Sequence, residues 1–332
     1  MSQNGLRYRD LLAEELAKVD HLLLGVHRLQ EGVSPLIREA LGRLVMSGGK
    51  RLRPALALLS TYLYGEALPP QTYPVAASLE MLHTATLIHD DLLDHAEVRR
   101  GHRTLNTRWT MGATVLGGDL AFSWAANLVA QGDNTMLVRR FAETLGTICN
   151  GELNQLFHGR GNVPTMDAYY ARIFAKTGSL FQLAMEVGPW LRRRPREEIQ
   201  RLGDFGRSLG IAFQIADDVL DFMGDEATLG KPVGGDLRQG LVTLPVLYYL
   251  ESHPHEAHLR HILAQVKEGR APDEETVQAL VLDLRHSDAA ERAMATAEQH
   301  IEKALAQLAA YPPSPYRAAL EEIARFAVRR RY

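Results

Sequence analysis

The chain has 332 residues, of which 46% are hydrophobic, 23% charged and 7% aromatic, and its formal net charge is −3 at pH 7. That balance excludes a wholly disordered chain and gives no global attraction to nucleic acid or acidic lipid, so any bound anion must be held by local clusters of Lys and Arg. A single cysteine, Cys149, excludes an intramolecular disulfide framework.

Nothing in the composition marks a boundary, so residues 1–332 read as one domain. The opening segment, MSQNGLRYRDLLAEELAKVD, alternates charged and apolar residues and lacks the apolar run of a secretory leader. With the lone cysteine, this gives a cytoplasmic expectation. The longest nearly uncharged stretches, such as Pro54–Gly65, fall well short of the roughly 20 apolar residues of a spanning helix. Any membrane contact is therefore expected to be peripheral.

Apolar residues recur at three- and four-residue spacing along almost the whole chain, the period of an amphipathic helix. The pattern predicts helices over 6–30, 35–47, 54–64, 72–95, 107–131, 135–158, 166–188, 196–222, 241–252, 257–267, 273–284, 288–310 and 316–330. The second shows the punctuation. Ser34-Pro35 supplies an N-cap and a proline at the first helical position, Leu36, Ile37, Ala40, Leu41, Leu44 and Val45 make the apolar face, and Gly48-Gly49 end it. No alternating strand pattern intervenes, so the expected fold is all-α, a bundle of long helices around a central cavity. Residues 96–106 and 223–240 are polar, carry glycine or proline, and resist the helical reading.

Each of those loops follows an aspartate motif: Asp90-Asp91-Leu92-Leu93-Asp94, then Asp217-Asp218-Val219-Leu220-Asp221. At helical spacing Asp90 and Asp94 share one face, as do Asp217 and Asp221, while Asp91 and Asp218 sit to one side. Two carboxylates about 4 Å apart repel by about 4 kcal/mol at an effective dielectric near 20, a cost that a bound cation removes. Oxygen ligands without an EF-hand loop or Cys/His cluster favour Mg²⁺, which completes its shell with water and substrate phosphates. One such motif alone could be solvated or helix-capping acid. Two copies in apolar context, each followed by basic residues, point to diphosphate.

Cations beside glycine recur in Gly48-Gly49-Lys50-Arg51-Leu52-Arg53, Arg99-Arg100-Gly101, Lys176-Thr177-Gly178 and Gly230-Lys231, where close approach and free backbone N–H groups suit diphosphate oxygens. Arg51, Arg192-Arg193-Arg194 and Arg329-Arg330-Arg331 are read as solvated surface charges.

Taken in order, GGKRLRP, HDDLLD with RRG, GELNQL, KTGSLF, FQIADDVLDF and GKPVGGD resemble the motif set of the trans-isoprenyl diphosphate synthases, the polyprenyl synthetase family. The resemblance covers about residues 35–250, and the C-terminal third carries no motif. It implies an isoprenoid-synthase-type bundle that condenses isopentenyl diphosphate head-to-tail onto an allylic prenyl diphosphate. It implies that Lys50, Arg53, His83 and Arg100 hold isopentenyl diphosphate, and that Arg99, Lys176 and Lys231 hold the allylic diphosphate. Asp90, Asp94 and Asp217 become the principal Mg²⁺ ligands, with Asp91, Asp218 and Asp221 behind them. Thr177 and Gln214 line the reacting carbons. With about three Mg²⁺ ions per active site, two diphosphates of roughly −3 each and six aspartates, the six Lys and Arg side chains bring the formal sum near zero. The family chemistry is ionisation of the allylic C–O bond, attack by the isopentenyl double bond, and proton loss to the released diphosphate. No Ser/His/Asp or Cys/His arrangement is needed.

Family enzymes limit product length with bulky residues just before the first motif. Here those positions hold Ala85 and Thr86, and DDLLD lacks the two-residue insertion of bacterial short-chain enzymes, so a product longer than geranylgeranyl is expected. Leu82 and Leu79, the latter about 16 Å below Asp90, floor the tail path, line it, or belong to ordinary core. GKPVGGDLRQGLVTLPVLYYL resembles hexaprenyl- and heptaprenyl-type catalytic subunits, which need a small partner subunit, and also solanesyl-type enzymes, which do not. Leu241 departs from the Asn or Lys common there. The family implies a homodimer. A terpene cyclase would lack the second DDxxD and GGKRLRP, and a non-catalytic subunit would have lost charged residues that are all present here.

Overall fold

The computed structural model describes residues 7–25, 32–46, 49–65, 67–99, 101–224 and 233–329. In chain order its helices are α1 (Tyr8–Leu11), α2 (Ala13–Gly25), α3 (Pro35–Met46), α4 (Leu52–Tyr62), α5 (Thr72–Leu93), α6 (Met111–Ala130), α7 (Thr135–Asn154), α8 (Met166–Ile173), α9 (Ser179–Leu191), α10 (Arg196–Met223), α11 (Gly235–Arg238), α12 (Leu244–Ser252), α13 (Ala257–Lys267), α14 (Glu274–His286), α15 (Ala289–Leu308) and α16 (Pro315–Arg329). Strands β1 (Val98–Arg99) and β2 (His102–Arg103) lie between α5 and α6, and π-helical turns occupy Gln155–Gly159 and Phe174–Gly178. The all-α expectation holds, and the chain divides into two compact units: Met1–Glu143 with Leu183–Gly203 and Tyr311–Leu320, and Thr144–Gln182 with Asp204–Ala310 and Glu321–Tyr332.

In the first unit α5 packs against α2, α4 and α6. Its sequence is apolar nearly all round, so it is buried on most sides, through Val75, Ala76, Ala77, Leu79, Met81, Leu82, Ala85 and Ile88. Small residues set the closest approaches. A Cβ at Gly188 of α9 would lie 2.3 Å from the Ser60 carbonyl carbon of α4, and the Gly188 N–H donates to Ser60 Oγ at 3.1 Å. The Tyr62 and Tyr316 rings stack at 4.1 Å, and the Tyr64 and Tyr311 hydroxyls bond at 2.9 Å, tying residues 311–316 to the end of α4.

In the second unit glycines again govern approach. A Cβ at Gly206 would lie 2.4 Å from Phe181 O, and one at Gly210 would lie 2.7 Å from Gly178 Cα. This portion of α10 therefore runs directly against the π-turn and the start of α9. The α12 helix packs on α15, and α13 on α14.

Several expected boundaries shift for local reasons. The helix expected over 6–30 breaks at Leu12 (φ −112°, ψ 19°), and its residues 6 and 26–30 lie outside the described residues. The segments over 135–158 and 166–188 each contain a π-turn, a local widening that apolar periodicity does not reveal. The loop over 96–106, expected without strands, forms a two-residue antiparallel hairpin, Val98 opposite Arg103 and Arg99 opposite His102. Gly101 (φ 78°) permits its turn, and strands this short show no alternation. Within 223–240, Gly234 (φ 76°) leads into α11.

Gly188→Ala is expected to lower stability by about 1–3 kcal/mol through overpacking on the α4 backbone. Urea unfolding measures it, and an unchanged midpoint would contradict the close α4–α9 approach.

Candidate active site

The first carboxylate group forms where α5 ends. The Asp94 N–H still bonds Asp90 O at 2.8 Å, after which His95 turns the chain at φ 52°. Asp90, Asp91 and Asp94 thus occupy the end of a helix whose last carbonyls already concentrate partial negative charge. Carboxylates are electrostatically unfavourable there, and a cation is favoured.

One open strip runs along α5. His83, Thr86, Leu87, Asp90 and Asp94 are partly exposed, at spacings that repeat on one helical face. Asp91 is turned inward and buried. Its Oδ1 accepts from Arg99 Nε at 2.6 Å. Burial raises the Asp91 carboxyl above its usual range, and the Arg99 charge opposes that rise. The hairpin is folded back onto the helix end: Asn106 Nδ2 donates to Asp91 O at 3.3 Å and to Ala96 O at 3.0 Å. Arg99 is thereby fixed beside Asp91, while Arg100 lies outside the described residues. Leu79 and Leu82 are both closed into the core.

Lys50 is exposed just before α4, and Arg53 is half-buried in its first turn. The unsatisfied N–H groups of a helix start suit an anion. Arg51 corrects the sequence reading. It is no solvated charge: its side chain is 11% exposed and bonds Asp20 Oδ1 at 2.8 Å and Glu80 Oε1 at 3.2 Å. Arg194, by contrast, makes a surface pair with Glu198 and lies over the Tyr64 ring. Arg330 and Arg331 lie outside the described residues.

The second carboxylate group lies in the last turns of α10. Asp218 is buried and doubly held, by Gln214 Nε2 at 3.0 Å on Oδ1 and by the Tyr169 hydroxyl at 2.7 Å on Oδ2. Thr177 Oγ1 in turn donates to Gln214 Oε1 at 2.7 Å. Burial pushes Asp218 up to about 6, against the lowering effect of these two donors. Asp221, also buried, accepts the Asp236 N–H at 3.0 Å, whereas Asp217 stays partly exposed. Asp217 and Asp221 lie four residues apart on the continuous α10 helix, and α11 covers Asp221 while Asp217 is left partly exposed. Arg285 donates to the carbonyls of Phe222 and Gly224 at 2.7 and 2.9 Å, a cationic cap on the end of α10. Lys176, in the π-turn, is 37% exposed and pairs with Glu152 at 3.2 Å. Lys231 lies outside the described residues. Leu241 is buried.

Tyr169, Arg285 and Asn106 escaped the sequence reading, since no motif marks them and each acts through a contact across 15 or more residues, whereas Glu152 belongs to the GELNQL motif but was given no role. At both motifs the donors are carboxylate oxygens, hard ligands that fit a divalent cation binding diphosphate.

The Polyprenyl synthetase family model matches residues 34–281. The chain belongs to that family. It is 34% identical to heptaprenyl diphosphate synthase component 2 of Geobacillus stearothermophilus over 97% of both chains. It is 33% identical to octaprenyl diphosphate synthase of Escherichia coli K12 over 98% of both. It superposes with TM-score 0.89, at 34% identity and 98% coverage of each chain, on a polyprenyl synthase from Caulobacter crescentus complexed with calcium and isoprenyl diphosphate. The protein is thus a polyprenyl diphosphate synthase, a trans-prenyltransferase whose family uses divalent metal to bind diphosphate.

Tyr169→Phe removes one of the two donors to Asp218 and is expected to lower stability by about 1–2 kcal/mol at pH 7.5. Because burial raises Asp218 in the folded state, its ionisation weakens folding as pH rises through about 6. The deficit of the variant should therefore shrink at pH 5. Urea titrations at the two pH values read it, and an equal deficit at both would remove the carboxylate from the explanation.

Proposed function

We propose that this synthase elongates an allylic prenyl diphosphate with isopentenyl diphosphate to a product longer than geranylgeranyl, using Mg²⁺, about three ions per site. The observation that carries the reading is the outward set of Asp90, Asp94 and Asp217 against the inward set of Asp91, Asp218 and Asp221, the latter three buried and hydrogen-bonded. The outward carboxylates are the metal ligands, and the inward ones fix their helices. Bound Mg²⁺ supplies positive charge that neutralises diphosphate.

The remaining work falls to the chain. Arg99, Lys176 and Lys231 stabilise the negative charge that grows on the departing allylic diphosphate. Lys50, Arg53, His83 and Arg100 hold isopentenyl diphosphate, whose double bond attacks the allylic cation. Thr177 and Gln214, locked to each other and to Asp218, present a fixed dipole beside the reacting carbons. The released diphosphate takes the proton.

The tail follows the open strip of α5 past Thr86, which is partly exposed and small. The face of α6 supports a homodimer: the helix is apolar on nearly all sides, yet Met111, Val115 and Leu116 are exposed, Leu116 to 68%. The name "component 2" of one relative favours a second reading, in which a small subunit covers apolar surface. No described helix is long and apolar enough to cross a membrane. The enzyme works in the cytoplasm, meets membranes only peripherally to release product, and has no nucleic-acid partner.

Incubation with Mg²⁺, farnesyl diphosphate and labelled isopentenyl diphosphate should yield labelled prenyl diphosphates of more than four isoprene units, roughly seven to nine by analogy with the relatives. No incorporation, with or without a small subunit, would refute the assignment. Asp90→Ala should lower kcat at least about 100-fold, and near-normal turnover would remove Asp90 from the ligands. Thr86→Phe should shift the product distribution to shorter chains on chromatography, and an unchanged distribution would place the tail elsewhere.

A further inference from the structure

Three consecutive residues before α4 are anchored by groups far away in sequence. Gly49 O accepts from Arg9 at 3.2 Å. Lys50 O accepts from the hydroxyl of Tyr8, whose ring is fully buried. Arg51 sits in the left-handed region at φ 47°, a conformation that a residue with a Cβ keeps only when its surroundings enforce it. The enforcement is visible. The Arg51 guanidinium reaches three elements at once: Asp20 of α2 at 2.8 Å, Glu80 of α5 at 3.2 Å, and Val45 O of α3 at 2.9 Å. Glu80 is itself buried, so Arg51 supplies its counter-charge.

From this geometry we infer that Arg51, with Tyr8, is a positioning residue that sets the register of Lys50 and Arg53 for the isopentenyl diphosphate. The inference rests on the reading that Lys50 and Arg53 hold that substrate. Lys50 and Arg53 flank Arg51 and the start of α4, and long cationic side chains hold an anion only as well as their backbone roots are fixed. The α1 and α2 helices contribute no group to the diphosphate in this reading. They act through the carbonyl of Lys50 and the carboxylate of Asp20.

The test compares steady-state kinetics of Tyr8→Phe, of the neutral pair Arg51→Gln with Glu80→Gln, and of Lys50→Ala as reference. The paired change avoids stranding a buried charge, and Tyr8→Phe keeps the ring in place, so folding, checked by thermal melting, is preserved in at least one variant. Each is expected to raise KM for isopentenyl diphosphate by about 5- to 20-fold, with KM for the allylic diphosphate within about 2-fold of wild type. Tyr8→Phe should add little in the Lys50→Ala background, and Arg51→Lys should recover part of the loss. A raised KM in Lys50→Ala but not in folded Tyr8→Phe or the paired variant overturns the inference alone. An unchanged KM in Lys50→Ala overturns the substrate assignment, and the inference with it.

Discussion

Carboxylates gathered at the C-terminal ends of α5 and α10 are the constraint from which the rest follows. A helix end already carries partial negative charge, and three aspartates in that position raise the local energy of the protein without a cation. The fold tolerates this because each helix is held elsewhere. The α5 helix is buried among apolar neighbours along most of its length, and α10 is pressed by glycine contacts against the segment that follows α8. Stability is drawn from the helix bodies, and the ends are left to bind.

At each end the aspartates are divided by what touches them. Asp91 meets Arg99, Asp218 meets Tyr169 and Gln214, and Asp221 meets the backbone of α11. Those contacts restrict helix rotation and orient the remaining carboxylates, much as supporting groups around a metal site fix its ligands. The π-turn at Phe174–Gly178 belongs to the same logic. It widens the helical path by one residue and brings Thr177 onto Gln214.

Arg51 shows where reading by residue type fails. An arginine two residues after a glycine and three before a proline reads as loop surface. Its burial depends on Asp20, Val45 and Glu80, three positions that no local window contains. Tyr169 is similar: a tyrosine on an amphipathic helix is ordinary core until Asp218 is seen 2.7 Å from its hydroxyl.

The sequence by itself determined the helical class, most helix bodies, the two aspartate motifs and the family, because apolar period, capping residues and motif order are local and survive in one dimension. It placed Asp90, Asp91 and Asp94 at a helix end, since a charged, glycine-bearing loop follows them. What only the tertiary structure decided is which groups hold the inward aspartates, that the 96–106 loop is a hairpin pinned by Asn106, and that Arg51 is structural. Those outcomes depend on burial and on partners distant in sequence, which cost or stabilise charge only once the helices are packed.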